Sequence, residues 1–225
     1  MKRSAQPLVG YLTRAEMQAL FAAPDLQTAA GLRDQAMLHL AFAAGLRVSE
    51  LTGLRLDQFD DAALPSLHVI GKGRRERILP LWQTTARAVR RWIAVRPKSA
   101  DPQLFLNAAG RMMTRSGFEY ILRKHAAAAA KAAPSIAAKR VTPHVLRHSC
   151  AMHTLQATGD VRKVSLWLGH ASVQTTEMYL RADPTEKLEA LTAMGPPTLQ
   201  RGRFTVPDKL MAMLSDAGNG RNYAK

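Results

Sequence analysis

Seven side chains of this 225-residue sequence carry groups that could together break a phosphodiester bond. They are a phenol, two guanidiniums, two imidazoles, an ammonium and a carboxylate. In chain order, the residues are Arg47, Glu50, Lys72, His144, Arg147, His170 and Tyr179. A phenol can attack phosphorus as a nucleophile, and cations can stabilise the charge that builds on the phosphoryl oxygens. These residue types therefore indicate attack on a DNA backbone by a tyrosine, without a metal.

Four of the seven lie within residues 142–179. His144 and Arg147 are three residues apart, so on a helix they share one face. Thr142 can cap this helix, and Pro143 suits its first position, where a missing N–H costs nothing. The first turn of a helix offers free N–H groups and the positive end of the helix dipole. We therefore expect His144 and Arg147 to face a phosphate.

The remaining groups fit the same reaction. Arg47 and Arg147 could clamp both non-bridging oxygens of one phosphate, because a guanidinium is a planar fork that stays charged. His170 follows a Leu-Gly pair, and Tyr179 comes nine residues after it. A phenol with a reference pKa of about 10 needs a nearby base and cations to act as a nucleophile.

A zinc site is a rival hypothesis for the same helix. His144 and His148 are four residues apart, which suits two imidazoles on one ion. The metalloprotease pattern requires Glu directly after the first His, however, and Val145 stands there. The sequence therefore predicts no metal site, and it predicts that His148 supports the active site from behind.

The composition indicates a polyanionic partner. Lys and Arg number 32 against 17 Asp and Glu, which gives a formal charge of +15 and a pI near 10.7. The 47% hydrophobic content is typical of a globular chain. We find neither a membrane-spanning stretch nor a signal peptide, so we expect a cytoplasmic protein that joins the nucleoid when bound to DNA. Cys150 is the single cysteine, and we expect it in the core.

The pattern of apolar residues predicts a mainly α fold with a small antiparallel β-sheet, of the α+β class. Thr13 and Glu16 form a capping-box pattern for a first helix, and a second helix, apolar on most sides, stops at Gly45. Residues 66–70 and 76–81 predict two strands that form a hairpin with Lys72 near its tip.

Helices are also predicted over about 83–96 and 115–131. Residues 126–138, interrupted by Pro134, predict a fraying helix end and a mobile connection. Glycines at 159 and 169 should end the next two helices. Trp167 and Leu168 are predicted to be core residues.

The quoted residues resemble a known family. The run TPHVLRHSCAMHTLQATGDVRKVSLWLGHASVQTTEMY, the earlier AGLRVSEL and the hairpin lysine resemble the catalytic domain of the tyrosine recombinases, the phage integrase family. The resemblance implies that fold and a site-specific recombinase or integrase. It also implies that Tyr179 forms a 3′-phosphotyrosyl bond and that Arg47 and Arg147 hold the scissile phosphate. Lys72 would protonate the leaving oxygen.

The resemblance assigns the remaining residues too. It implies that His144 assists proton removal from Tyr179 and that His170 bonds a non-bridging oxygen. Glu50 would orient its neighbours. Bond exchange conserves energy, so neither ATP nor any other cofactor is implied. Further phosphate contacts are predicted for the basic residues Arg74, Arg75, Arg77, Arg87, Arg90 and Arg91.

The resemblance also predicts domains and assembly. We expect a tail over residues 1–12, the catalytic domain over 13–195, and a second tail over 196–225. The apolar patch Leu210 to Leu214 in this second tail would dock on a neighbouring protomer. The expected partner is double-stranded DNA, bound by a homotetramer that is a monomer in solution. Most relatives carry an additional N-terminal domain, so the sequence suits either a single-domain member or a fragment.

Two other functions remain open on the sequence alone. A type IB topoisomerase uses similar Arg, Lys, His and Tyr chemistry, but it relaxes supercoils without a second DNA partner. A regulator that binds DNA without cutting it is the third hypothesis.

Overall fold

The computed structural model describes residues 10–59, 64, 66–71 and 76–169. These residues form a helical unit with one antiparallel hairpin, as the sequence predicts. The α-helices are α1 (Arg14–Ala22), α2 (Ala29–Ala43), α3 (Val48–Gly53), α4 (Gln83–Val95), α5 (Arg115–Ala129), α6 (Pro143–Thr158) and α7 (Val161–Leu168). The strands are β1 (Ser66–Ile70) and β2 (Glu76–Pro80), and 3-10 helices cover Leu56–Gln58 and Pro134–Ala138.

Helix α2 lies at the centre of the fold and packs against α1, α3, α4 and α6. Its residues Ala36, Met37, Leu38 and Leu40 are fully buried, which explains why the helix is apolar on most sides. Hydrophobic burial around this helix is the main force that assembles the unit.

The N-terminal segment is bonded to α6. The backbone N–H of Leu12 donates to Oγ of Ser149 at 2.9 Å, and the Leu12 side chain is fully buried. The capping box predicted for α1 is present, with Thr13 and Glu16 bonding each other's backbone N–H. Leu12, which the predicted boundaries place in the N-terminal tail, contributes to the core. The predicted boundaries at 13 and 195 otherwise stay predictions.

The hairpin has one inward and one outward face. Val69 of β1 pairs with Arg77 of β2 in the antiparallel register. Leu79 is buried, whereas Ile78 is 62% exposed. Side chains alternate along a strand, so Arg77 lies on the same face as Leu79.

The connection between α5 and α6 differs from the prediction. Residues 134–138 form a 3-10 helix whose Ile136 is buried, so the expected mobile connection is wrong for this stretch. Ser135 donates to Oε1 of Glu16 at 2.7 Å, and Lys139 Nζ donates to Oε2 at 2.7 Å. These long-range bonds fix a segment whose alanine-rich composition suggested fraying.

The predicted limits of the last two described helices are confirmed. Thr142 caps α6 by accepting from the Val145 N–H, and Pro143 takes its first position. Gly159 ends α6 and Gly169 ends α7, both with positive φ. Among the described helices, none has both the length and the apolar character that crossing a lipid bilayer requires.

Candidate active site

Arg47 lies directly before α3, at its N-cap position. Its Nη1 donates to Oε1 of Glu50 at 2.9 Å, and its backbone N–H donates to Oε2 at 2.9 Å. The Arg47 side chain is nevertheless 39% exposed. A guanidinium in this position is held at one edge while other donors can reach solvent or a ligand.

A second arginine contacts the same carboxylate. Arg77 Nη2 donates to Oε2 of Glu50 at 2.9 Å, and Nη1 lies 3.4 Å from Oε1. The side chains are 10% exposed for Arg77 and 5% exposed for Glu50. We call Glu50, Arg47 and Arg77 the Glu50 cluster.

Burial alone would raise the pKa of Glu50. The hydrogen bonds and charges of Arg77 and Arg47 outweigh this effect and hold the pKa below its ordinary value. Glu50 is therefore a carboxylate at neutral pH, with two acceptor oxygens that orient two guanidiniums.

Arg147 is almost fully buried, at 6% exposure. Its Nη2 donates to the carbonyl of Leu168 at 2.8 Å, and its Nη1 donates to the carbonyl of Gly45. Leu168 is the last residue of α7, and Gly45 follows the end of α2. Carbonyls at helix ends lack partners within the helix, and a cation there is favourable. The guanidinium thus fixes three helices relative to one another.

Glycine is required at two positions beside these arginines. Gly45 has a φ of +53°, and a side chain there would meet Leu168 Cδ2 at 2.4 Å. Gly169 has a φ of +63°, and a methyl group there would lie 3.1 Å from Arg77 Cδ and Nη1. The left-handed backbone strains any side chain at either position, and at Gly45 the close packing adds a clash. Gly45 precedes Arg47 by two residues, and Gly169 precedes His170.

The two histidines in the first two turns of α6 have different environments. His144, in the first turn, is exposed, whereas His148 is buried one turn later. This placement keeps His144 available to a ligand and makes His148 part of the packing behind it. Within the described ranges, no three His, Cys, Asp or Glu side chains are grouped as a metal ion would require.

Several predicted site residues lie outside the described residues. These are Lys72, Arg74, Arg75, His170 and Tyr179, together with the apolar patch Leu210 to Leu214. Their roles stay predictions. Described elements stand next to two of these residues in the sequence. Strands β1 and β2 flank the segment that contains Lys72, and α7 ends two residues before His170.

The predicted DNA-contacting arginines fall into two groups. Arg87, Arg90 and Arg91 are exposed on α4, where their spacing places them on one face. Arg77 differs, because its side chain is only 10% exposed and is bonded to Glu50.

Sequence reasoning missed the contacts that hold the centre together. The alternation within β2 was the available signal for Arg77, because it shares the inward face with Leu79. No pattern pointed to the backbone carbonyls that receive Arg147. Cys150 and Leu168 are buried as predicted, and burial raises the pKa of the Cys150 thiol to about 12. Trp167 is half-buried and donates from Nε1 to the Ala43 carbonyl at 2.9 Å.

The family profile of the phage integrase family matches residues 10–186. The chain belongs to the phage integrase family. A protein of Sinorhizobium fredii described as an integrase/recombinase is 42% identical over 214 residues, which cover 95% of this chain and 64% of that protein. The tyrosine recombinase XerD of Listeria innocua is 39% identical over 183 residues, covering 79% and 59%. The chain spans about three fifths of the length of these relatives.

Solved structures share the fold. The XerA recombinase matches with a TM-score of 0.72 and 28% identity, over 85% of this chain and 67% of that chain. The catalytic domain of bacteriophage HP1 integrase matches over 85% and 98%, with a TM-score of 0.53 and 20% identity. XerH bound to palindromic difH substrate matches over 84% and 54%, with a TM-score of 0.69 and 21% identity. The predicted family and fold class are confirmed.

Proposed function

We propose that this chain cuts and rejoins DNA strands as a site-specific recombinase or integrase, with Tyr179 as the nucleophile. The observation that carries the proposal is the position of Arg147. Its guanidinium donates to the carbonyl of Gly45, two residues before Arg47, and to the carbonyl of Leu168, two residues before His170. One buried guanidinium thereby holds the backbone at Gly45 and at Leu168. The family assignment and the relatives, which are recombinases and integrases, support the same reaction.

In the proposed reaction, Tyr179 attacks the scissile phosphate, forms a 3′-phosphotyrosyl bond and releases a 5′-hydroxyl. Arg47 and Arg147 stabilise the charge on the phosphoryl oxygens, and His170 bonds one of them. His144 accepts the phenol proton, and Lys72 donates a proton to the leaving oxygen. Reversal by a 5′-hydroxyl of another strand completes the exchange.

The proposed partner is double-stranded DNA. Solved recombinases of this fold were determined with DNA bound, among them XerH with difH substrate. The formal charge of +15 and the exposed Arg87, Arg90 and Arg91 on one face of α4 support a phosphate-binding surface here. A homotetramer on DNA is the assembly we propose, because exchange of two duplexes needs four cutting tyrosines.

The experiment begins with selecting bound duplexes from a random library. A selected duplex with a nick near the cleavage position then traps the covalent intermediate, which migrates slowly in denaturing gels. We expect an adduct with the natural chain and none with Tyr179→Phe at equal DNA binding. An adduct that persists in Tyr179→Phe would contradict the assignment of the nucleophile and direct the search to Tyr11, Tyr120 and Tyr223.

Supercoiled plasmids distinguish the recombinase from a type IB topoisomerase. We expect strand exchange only between DNAs that carry the selected site. Relaxation of plasmids without that site would indicate a topoisomerase, and binding without any adduct would indicate the non-cutting regulator.

A further inference from the structure

We infer that Arg77 is a positioning residue of the active site, which joins strand β2 and the turn before His170 to Glu50. The sequence assigned Arg77 to phosphate binding, and the described contacts assign it a different role. The inference rests on the proposed function, because it concerns the geometry of the cutting centre.

The first observation is the direction of the Arg77 side chain. Arg77 shares the inward face of β2 with Leu79, while Ile78 faces outward. Its terminal nitrogens are directed to the two oxygens of Glu50, and only 10% of the side chain is exposed. Both terminal nitrogens of Arg77 are thus directed to a single carboxylate, which makes Arg77 an ion-pair partner of Glu50.

The second observation is the contact with the turn at the end of α7. A methyl group on Gly169 would lie 3.1 Å from Cδ and Nη1 of Arg77 and 3.4 Å from Cζ. The two 3.1 Å distances are shorter than most contacts of real Cβ atoms. Gly169 therefore leaves room for Arg77, which fills the space beside the turn that leads into His170.

These contacts close a ring through the candidate site. Arg77 contacts Glu50 and the Gly169 turn, and Glu50 bonds Arg47. Arg147 then links Leu168, one residue before Gly169, to Gly45, two residues before Arg47. A displacement of β2 would thus move the turn before His170 and the carboxylate that orients Arg47. Misplacement of reacting groups by about 1 Å can slow a reaction about 100-fold.

A phosphate contact and a positioning role for Arg77 predict different salt dependences of DNA binding. Loss of a phosphate contact makes the dependence of log affinity on log salt shallower by about 0.9. Loss of a positioning residue leaves that slope unchanged and slows the cleavage step instead. Binding measured across salt concentrations, together with single-turnover cleavage at saturating protein, therefore distinguishes them.

The test uses Arg77→Met on the full chain with the selected nicked duplex. Arg96→Met is the matched control, because Arg96 also binds its surroundings through hydrogen bonds, to the carbonyls of Asp101, Gln103 and Leu104. We expect Arg77→Met to lower the cleavage rate constant about 10- to 100-fold with an unchanged salt slope. Arg96→Met should lower the melting temperature and leave the rate constant of the folded protein unchanged.

Arg77→Lys keeps a cation beside Glu50 and provides a second variant if Arg77→Met does not fold. We expect it to cleave more slowly than the natural chain. Combined with Glu50→Gln, it should be no slower than Glu50→Gln alone, because both changes break the same contact. Combined with Arg96→Met, its effect on the rate constant should be unaltered.

Two results would overturn the inference. One is a natural cleavage rate constant in folded Arg77→Met or Arg77→Lys. The other is a salt slope that becomes shallower by about 0.9, which would restore Arg77 to phosphate binding. Absence of an adduct with the natural chain would instead refute the proposed function, so the two failures are distinguishable.

Discussion

Two glutamates with buried side chains, Glu16 and Glu50, occupy the same position in their helices. Each lies in the first turn and accepts the N–H of the N-cap residue, at 2.7 Å from Thr13 and at 2.9 Å from Arg47. Each also receives a cation from a distant segment. Lys139 lies 2.7 Å from Glu16, and Arg77 lies 2.9 Å from Glu50. We call Glu16, Thr13, Ser135 and Lys139 the Glu16 cluster.

The two clusters differ at the N-cap. The Thr13 hydroxyl accepts from the Glu16 N–H at 3.3 Å, so the capping box is complete. Arg47 has no acceptor and cannot cap the Glu50 N–H. A missing N-cap hydrogen bond lowers the free energy of unfolding by about 1 kcal/mol. At the Glu50 cluster, the N-cap residue instead presents a half-exposed guanidinium. The same local motif thus serves stability at Glu16 and, in our proposal, phosphate binding at Glu50.

The largest predicted effect follows from giving Glu50 the cap that Glu16 has. Arg47→Thr should lower the cleavage rate constant by about 100- to 1,000-fold, because a transition-state donor is lost. The free energy of unfolding should change by less than about 1 kcal/mol, because threonine can complete the box while the partly exposed Arg47–Glu50 ion pair is lost. Trapped-adduct kinetics and urea unfolding measure the two quantities. Cleavage at the natural rate would remove Arg47 from the phosphate site.

The second prediction concerns acid stability of the Glu16 cluster. Burial alone would raise the pKa of Glu16, but bonds from Lys139, Ser135 and Thr13 lower it from 4.5 to about 2. A carboxyl with a lower pKa in the folded state stabilises the fold above its unfolded pKa, and this contribution is lost as pH falls toward 2. The full contribution is about 3 kcal/mol. Between about pH 6 and about pH 3, the free energy of unfolding, measured with urea, should fall by about 2 kcal/mol more in the natural chain than in Glu16→Gln. Equal losses would refute the assigned shift.

The third prediction tests the cation of the Glu16 cluster. Lys139→Met should lower the free energy of unfolding by about 2 kcal/mol, because a buried carboxylate loses a charged donor. The cleavage rate constant of the folded protein should not change. Lys131→Met is the control, since Lys131 is exposed and its loss should cost at most about 0.5 kcal/mol. Slower cleavage in folded Lys139→Met would show that the Glu16 cluster also serves the chemistry.

The smallest predicted effect comes from the converse of Arg47→Thr, made at the N-cap of the Glu16 cluster. Thr13→Arg gives Glu16 the N-cap of Glu50 and should lower the free energy of unfolding by about 1 kcal/mol. Cleavage should be unchanged. Calorimetry and the trapped-adduct assay provide the measurements, and an unaltered stability would mean that the Thr13 hydroxyl contributes little.

Much of the fold could be predicted because its signals are local. The Thr13 and Thr142 caps and the glycines at 159 and 169 set helix limits through their own backbone chemistry. The stretch 134–138 was mispredicted because its order comes from Glu16, more than one hundred residues away in sequence.

The candidate site was predicted in part. Residue types and spacing predicted Arg47, Arg147 and His144 as site residues, and a bond from Arg147 connects α6 to Gly45, two residues before Arg47. Charge alone placed Arg77 among the DNA contacts. Its pairing with Glu50 depends on strand alternation and on a contact across 27 residues, which composition does not encode.

The most direct test of the proposed reaction is to locate the DNA on the protein. The trapped adduct is digested with nuclease and trypsin, and the peptides are sequenced by mass spectrometry. The tryptic peptide of residues 164–181 contains Tyr179 as its only tyrosine. We predict that the nucleotide remnant is attached to Tyr179 in this peptide. A remnant on Tyr11, Tyr120 or Tyr223, or the absence of any protein-bound DNA, would contradict the proposed reaction.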